Sequence, residues 1–180
     1  MTAHTLSPTE TVPQHAAVCP EPTAVLAAVQ KRSFATLSTA SPAGRPHVAG
    51  VLYEAVGTTL YASTLRTSRK ARNVAASPHV AVVVPIRRIP FGPPSTVQFQ
   101  ARAEVLDSDS PEIVGLVESG HLKSITGHGE LELADGCFLR ISPGRRWITY
   151  GLGMSLWSLM RDPLGAGGSV EIGDALAARR

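Results

Sequence analysis

Residues 64–73, which read TLRTSRKARN, concentrate side chains that can bind an anion. They follow a predicted strand, cross a polar loop and enter a predicted short helix for which Ser68 is a good N-cap. The free N–H groups and positive dipole end of a helix start attract anions. Arg69 adds a planar fork for phosphate oxygens and Lys70 a point charge. These residue types predict an anion pocket, the alternative being a capped helix with a solvated basic face.

The charge around this stretch is all of one sign. No Asp or Glu occurs between Glu54 and Glu104, and this interval contains seven basic residues: Arg66, Arg69, Lys70, Arg72, Arg87, Arg88 and Arg102. A positive field that survives folding would attract a phosphate or a carboxylate. A scattered set of solvated arginines would not, and composition alone leaves both possibilities open.

Few features point to other chemistry. Cys19 and Cys137 lie far apart and outside any CxxC pattern, so neither a disulfide framework nor a structural metal is predicted. Residues 1–20 lack a secretory signal pattern, and no apolar run reaches membrane-spanning length. A net charge of +3 and 5% aromatic residues argue against nucleic-acid binding. We expect a cytoplasmic protein with no membrane or nucleic-acid partner.

The elements that must position the anion pocket are predicted to be short strands. A disordered lead (residues 1–20) precedes a barrel domain (residues 21–153), and a C-terminal helix and flexible tail follow (residues 154–180). Alternation and turn residues predict strands over residues 34–39, 47–54, 58–63, 80–86, 95–106, 137–141 and 146–150. Caps and prolines predict helices over residues 22–31, 68–76, 110–118 and 154–161. Six or seven short strands favour an antiparallel, mainly β barrel with short flanking helices.

Several of these segments together resemble a known superfamily. The segment FATLST at residues 34–39, the turn Gly44-Arg45-Pro46, an apolar strand, Ser68-Arg69-Lys70 and residues 80–84 follow the order of the pyridoxamine 5′-phosphate oxidase-like split barrels. The resemblance covers residues 23–150. Ser68-Arg69-Lys70 resembles the FMN-phosphate motif of the oxidases, and residues 70–73 resemble the Lys-x-Arg-Asn pattern of flavin/deazaflavin oxidoreductases, many of which use coenzyme F-420.

The resemblance implies a Greek-key split barrel that binds FMN or coenzyme F-420, with haem a less favoured cofactor. It implies that the cofactor contacts two strands and the following helix, through Val48, Ala49, Gly50, Val51, Ser63, Thr64, Ser68, Arg69, Lys70 and Asn73. It also implies a homodimer with the cofactor at the subunit interface. The expected function is an oxidoreductase acting on a small molecule, the alternative being a non-catalytic flavin carrier or haem-binding protein that uses one of His47, His79, His121 and His128.

The sequence departs from the true oxidases at two places. Their closing segment resembles Arg-Trp-x-Arg-Leu-x-Pro, whereas residues 146–150 read RWITY and keep only the first two residues. Thr96 stands before Val97, where the oxidases often carry Gln. We therefore do not expect pyridoxamine phosphate oxidation, and the sequence names neither the substrate nor a catalytic residue.

Overall fold

An antiparallel sheet forms most of the computed structural model, which describes residues 20–86 and 95–173. Its strands are β1 (Phe34–Ala40), β2 (Pro46–Leu52), β3 (Glu54–Val56), β4 (Thr59–Leu65), β5 (His79–Ile86), β6 (Ser95–Asp107), β7 (Gly136–Tyr150) and β8 (Gly167–Glu171). The helices are α1 (Pro22–Gln30), α2 (Arg69–Ala76), α3 (Pro111–Glu118), α4 (Lys123–Thr126) and α5 (Leu156–Arg161), with 3-10 turns at Glu130–Glu132 and Leu164–Ala166. The predicted mainly β, antiparallel fold with short helices is confirmed.

The sheet curls into a half-barrel because one bent segment forms both of its ends. The strand order is β2-β1-β5-β6-β7-β4-β3, and β8 pairs with β7 beside this path. Only Tyr53 separates β2 from β3, so the chain leaves one end of the sheet and enters the other. Tyr53 is buried; its hydroxyl donates to the Val29 carbonyl at 2.7 Å and its N–H to the Ser33 carbonyl at 2.8 Å. The single strand predicted for residues 47–54 is therefore two strands with different partners.

The core lies inside the curl and consists mainly of Val, Ala, Leu and Ile side chains. Trp147 is fully buried and stacks on Phe99, with 4.6 Å between ring centroids. A second, smaller cluster lies where α3 and α4 cover the sheet, and it contains Tyr61, Ile113, Leu122, Ile125 and Phe138. Burial of these apolar faces stabilises the curl.

Some predicted elements are wrong in detail. Residues 137–141 and 146–150 belong to one strand, β7, because a register shift between Phe99 and Ala101 on β6 accommodates Pro143-Gly144 without a turn. Burial alternates along strand β5, because one of its faces points away from the core. Thr64 and Leu65 end β4 rather than forming a loop.

The segment predicted as a glycine-rich tail contains ordered structure. Gly167 and Gly168 begin β8, which pairs with residues 146–150 of β7, and Val170 is buried in the core. The sequence pattern did not predict this strand, because glycine weakens strands and is depleted in them. The lead up to residue 19, the loop over residues 87–94 and the tail over residues 174–180 lie outside the described residues.

Replacing Tyr53 by Phe tests the role of its hydroxyl at the bend. Tyr53→Phe should lower the free energy of unfolding by about 1 kcal/mol, because a buried hydrogen bond is lost. Urea denaturation measures the change. Tyr150→Phe is the matched control, since the Tyr150 hydroxyl has no hydrogen-bond partner in the described part of the chain. Equal losses in both variants would contradict the assignment.

Candidate anion site at the start of helix α2

Ser68 caps α2 as predicted. Its hydroxyl accepts a hydrogen bond from the Ala71 N–H at 3.3 Å and one from the Thr64 hydroxyl at 3.2 Å. The first turn of α2 has no acidic residue. Since Thr64 lies in β4, two hydroxyl groups join the end of this strand to the start of the helix. Because its first turn has no acidic residue, the positive end of the helix dipole has no carboxylate of its own.

Two acidic residues from distant parts of the chain approach the loop before α2. The Thr67 N–H and hydroxyl both donate to Oδ2 of Asp135, at 3.1 and 2.6 Å, and Arg66 forms an ion pair with Asp107. The Thr67 hydroxyl, followed by its N–H, lowers the pKa of Asp135. The positive field predicted from the sequence is therefore neutralised at Arg66. No signal near residues 64–73 could have revealed these contacts, because Asp107 and Asp135 are distant in the sequence, with 68 residues separating Asp135 from Thr67.

The two cations at the helix start diverge. Arg69 lines a cavity of about 440 Å³ together with Arg72, Asn73 and the turn between β1 and β2. Lys70 is not among the residues that line this cavity. Burial raises the pKa of the Cys137 thiol, and the positive charges of Arg66 and, to a smaller extent, Lys70 oppose that rise. Neither Arg69 nor Lys70 has an ion pair or side-chain hydrogen bond among residues 20–86 and 95–173. Both are thus available to an anion.

Asn73 holds α2 against the sheet. Its side-chain amide donates to the Thr39 hydroxyl on β1 at 2.9 Å, and both residues are buried. A buried polar pair of this kind is costly to break, so it determines how α2 lies on β1. Asn73, which the family resemblance assigns to the cofactor, therefore has a structural contact of its own and also lines the cavity beside Arg69.

Strand β2, at the edge of the sheet, carries four of the predicted cofactor residues, at positions 48–51. Val48 and Gly50 are exposed, Ala49 is half-buried and Val51 is buried, so Val51 could offer only backbone groups there. A Cβ on Gly50 would lie 2.9 Å from the Phe34 ring, which explains the glycine by packing. Helix α2 contacts β2, and β2 contacts β4, so the three predicted segments are neighbours.

Ser63 and Thr64, which are both half-buried, line a small cavity of about 120 Å³. Leu65, Glu130 and Leu133 complete its lining. The His128 N–H donates to the Glu130 carboxylate at 2.8 Å, which lowers the Glu130 pKa. Glu130 is half-buried where it lines this cavity with Thr64.

The four histidines, any one of which was considered as a haem ligand, lie in separate surroundings. His79 contacts Arg102, His121 contacts Ser119, and His128 lies 3.7 Å from Glu130. The fourth, His47, lines the arginine-rich cavity. Within the described ranges, no three His, Cys, Asp or Glu residues are grouped to hold a metal ion. In the same ranges, no helix has the length and apolarity to cross a membrane.

A curled antiparallel half-barrel whose edge strand lies beside a cationic helix start defines a split-barrel protein. A family model described as pyridoxamine 5′-phosphate oxidase matches residues 22–146, and the chain belongs to this family. This match confirms the resemblance that the sequence showed over residues 23–150. No curated protein gives a significant match.

Solved structures show the same fold at low sequence identity. The haem storage protein HutZ of Vibrio cholerae is 20% identical, with a TM-score of 0.58 over 72% of this chain and 94% of that protein. A haem-binding protein of Mycobacterium smegmatis is 18% identical, with a TM-score of 0.63 over 88% of this chain and 59% of that protein. A FAD-binding protein of Mesorhizobium loti is 22% identical, with a TM-score of 0.52 over 66% of this chain and 86% of that protein.

Acid should weaken the loop before α2. Because the pKa of Asp135 is lowered in the folded chain, its stabilising contribution is present above the unfolded pKa and is lost as the pH falls through the folded value. The wild type should therefore lose more stability between about pH 5 and pH 3 than Asp135→Asn does. Thermal unfolding across this range measures the difference. Glu132→Gln, which removes an exposed carboxylate, is the control, and a wild-type slope matching that of Asp135→Asn would contradict the prediction.

Proposed function

We propose that this protein is a flavin- or deazaflavin-dependent oxidoreductase that transfers hydride or electrons to a small molecule. The observation that carries the proposal is the start of α2, where Lys70 and Arg69 are unpaired within the described ranges and Ser68 caps a helix without first-turn acids. In a member of the pyridoxamine 5′-phosphate oxidase family, this arrangement supports binding of a cofactor phosphate. FMN and coenzyme F-420 both carry such a group.

The residues around α2 fit the rest of such a cofactor. As an edge strand, β2 has one side without a strand partner in the described sheet, and its N–H and C=O groups there can bind the polar rim of a ring system. Phe34, Val48 and Leu52 form an exposed apolar surface on β1 and β2 that suits the ring face. When bound, the ring supplies the redox chemistry, and the protein binds it, orients it and excludes water.

The described histidines favour this cofactor over haem. His79, His121 and His128 contact neighbouring polar residues, and His47 lines a cavity with arginines rather than an apolar slot. A non-catalytic haem-binding or carrier protein is therefore the weaker candidate, and the absorption spectrum of the purified protein separates the two.

Oxidation of pyridoxamine or pyridoxine 5′-phosphate is not part of the proposal. Trp147 is buried in the core, and its indole N–H donates to the Gly144 carbonyl at 2.9 Å, so it does not face a substrate. Arg146 is exposed, and Ile148, Thr149 and Tyr150 provide no second cation after it. The substrate is a different small molecule, and a cytoplasmic location remains a prediction.

Cofactor binding should depend on the cations at the start of α2. Lys70→Gln and Arg69→Gln should each raise the dissociation constant for the cofactor about 10- to 150-fold, because a charge-assisted hydrogen bond contributes about 1.5–3 kcal/mol. Titration of the apo-protein with FMN and with coenzyme F-420 measures this and identifies the cofactor. Arg145→Gln, at an exposed arginine on β7, is the charge-matched control. Unchanged constants for both cofactors in both variants would refute the assignment.

We also propose a homodimer with the cofactor at its interface. The exposed apolar surface of Phe34, Val48 and Leu52 adjoins the predicted cofactor residues on β2, and symmetric pairing is the commonest way to cover such a surface.

Light scattering should give twice the chain mass of 18.9 kDa. Leu52→Lys should shift the protein to the monomer, because it places a charge in the surface that the dimer would bury. Leu133→Lys, at a leucine of comparable exposure outside that surface, should not. A wild-type monomer with cofactor bound would exclude the dimer.

A further inference from the structure

A cavity of about 580 Å³ lies between helix α3, the end of α1 and the β3–β4 hairpin. Residues 55–57 and Tyr61 line it from the hairpin, and Gln30, the last residue of α1, borders it. The volume lies in the range of small-molecule sites. None of the predicted cofactor residues lines this cavity, and it shares no lining residue with the arginine-rich cavity beside α2.

One face of α3 forms the helical wall of this cavity. Glu112, Gly115, Leu116 and Ser119 line it, and their spacing of three or four residues puts them on one face. Gly115 lies in the interior of the helix, where glycine is less favourable than alanine. Its φ is not positive, and a Cβ built on it would meet no atom within 4 Å. Neither backbone conformation nor packing therefore explains this glycine, which leaves the space beside the helix open.

Two polar side chains of the lining have an acceptor atom to spare. The Ser119 hydroxyl donates its one hydrogen to the Leu116 carbonyl at 3.0 Å, so Nδ1 of His121, 3.0 Å from the same hydroxyl, must be the donor there. Nε2 of the neutral His121 ring is then an acceptor. The Gln30 side-chain nitrogen donates to the Gly57 carbonyl at 2.9 Å. Within the described ranges, neither His121 Nε2 nor the Gln30 side-chain oxygen has a partner.

The charge of the cavity is balanced. The Glu112 carboxylate accepts from the Tyr61 hydroxyl at 2.7 Å and pairs with Arg140 at 2.5 Å. Among the described residues that line the cavity, none is Lys or Arg. Val56 and Leu116 add half-buried apolar surface. The lining therefore offers apolar contact and acceptor atoms, without a free charge for an ion.

We propose that this cavity binds a neutral small molecule with an apolar body and at least one N–H or O–H donor. The donor would pair with Nε2 of His121 or with the side-chain oxygen of Gln30, and the body would fill the space that Gly115 leaves open. An ion would lose hydration without gaining a counter-charge, which disfavours charged ligands. The site does not rest on the proposed oxidoreductase function, because its lining lies outside the predicted cofactor set.

Titration of the full-length protein with indole, followed by two-dimensional ¹H–¹⁵N NMR, tests this proposal. Indole combines an apolar bicyclic body with one N–H donor, and it should shift the amide signals of Gly57 and Gly115 saturably. 1-Methylindole has no donor and should bind about two- to tenfold more weakly, because an acceptor stays unpaired. This preference should disappear in either His121→Phe or Gln30→Met, which identifies the acceptor. Indole-3-acetate should also bind more weakly than indole, since no lining residue offers a cation.

Variants of Gly115 test the open space. Gly115→Ala should raise the melting temperature by about 2–4 °C, because alanine favours the helix and its Cβ meets no neighbour, yet it should weaken indole binding. Gly115→Leu should weaken indole binding about tenfold or more, because its side chain occupies the space that the ligand needs. Val114→Leu, at an exposed position of α3 outside the lining, is the control and should bind indole as the wild type does.

FMN-loaded protein should bind indole as the apo-protein does, which separates this site from the cofactor assignment. If Gly115→Leu fails to fold, Gly115→Ala decides the outcome. The site is overturned if indole shifts neither glycine signal, if 1-methylindole or indole-3-acetate binds as tightly as indole, or if Val114→Leu loses as much affinity as the Gly115 variants. Retention of the preference for indole in both His121→Phe and Gln30→Met would also overturn it. A lower melting temperature of Gly115→Ala would show that the fold itself requires this glycine, contrary to the inference.

Discussion

The segment over residues 46–56 belongs to both ends of the sheet, and this constraint determines the shape of the molecule. Its first part pairs with β1 and its last part with β4, so the sheet must curl until its two ends meet at one residue. Tyr53 occupies that position and is hydrogen-bonded to α1 and to the residue before β1. The curl brings β2 beside β4 and α2, although these segments are not paired with one another along the sheet.

The buried hydrogen bond between Asn73 and Thr39 determines how α2 lies on this curled sheet. It holds one face of α2 toward the β1–β2 turn, so residues that are adjacent in sequence serve different surroundings. Arg69 lines a cavity with Arg45 and Arg72, whereas Lys70 is not among its lining residues. The two cations at this helix start thus have different surroundings, which a single motif read along the chain does not distinguish.

The parts of the fold that rest on local physics were predictable. Ser68 as an N-cap, the helix beginning at Pro111 and the alternating strand β6 follow from capping, the fixed φ of proline and the two-residue period of a strand. The continuity of β7 was missed because Pro143 and Gly144 are typical of a turn, whereas here a register shift in the pairing with β6 accommodates them.

The parts of the site that depend on distant contacts were not predictable. Ser68, Arg69 and Lys70 were found from residue type, since capping hydroxyls and cations have recognisable chemistry. Arg45 was visible only as part of a turn, and its approach to Arg72 follows from the pairing of β1 with β2 and the packing of α2. The contact of Asp135 with Thr67 arises from the pairing of β4 with β7, which no local pattern encodes.

Strand β8 also has a consequence for association between chains. Along the edge of β7 that faces away from β6, β4 pairs with residues 136–141 and β8 with residues 146–150. Without β8, the second part of β7 would present unpaired N–H and C=O groups, which is a template for strand addition by another molecule. The strand that prevents this begins with two glycines, which contribute little intrinsic strand preference, and it is held by the burial of Val170 and Ile172. Resistance to aggregation therefore depends on two aliphatic side chains close to the end of the described chain.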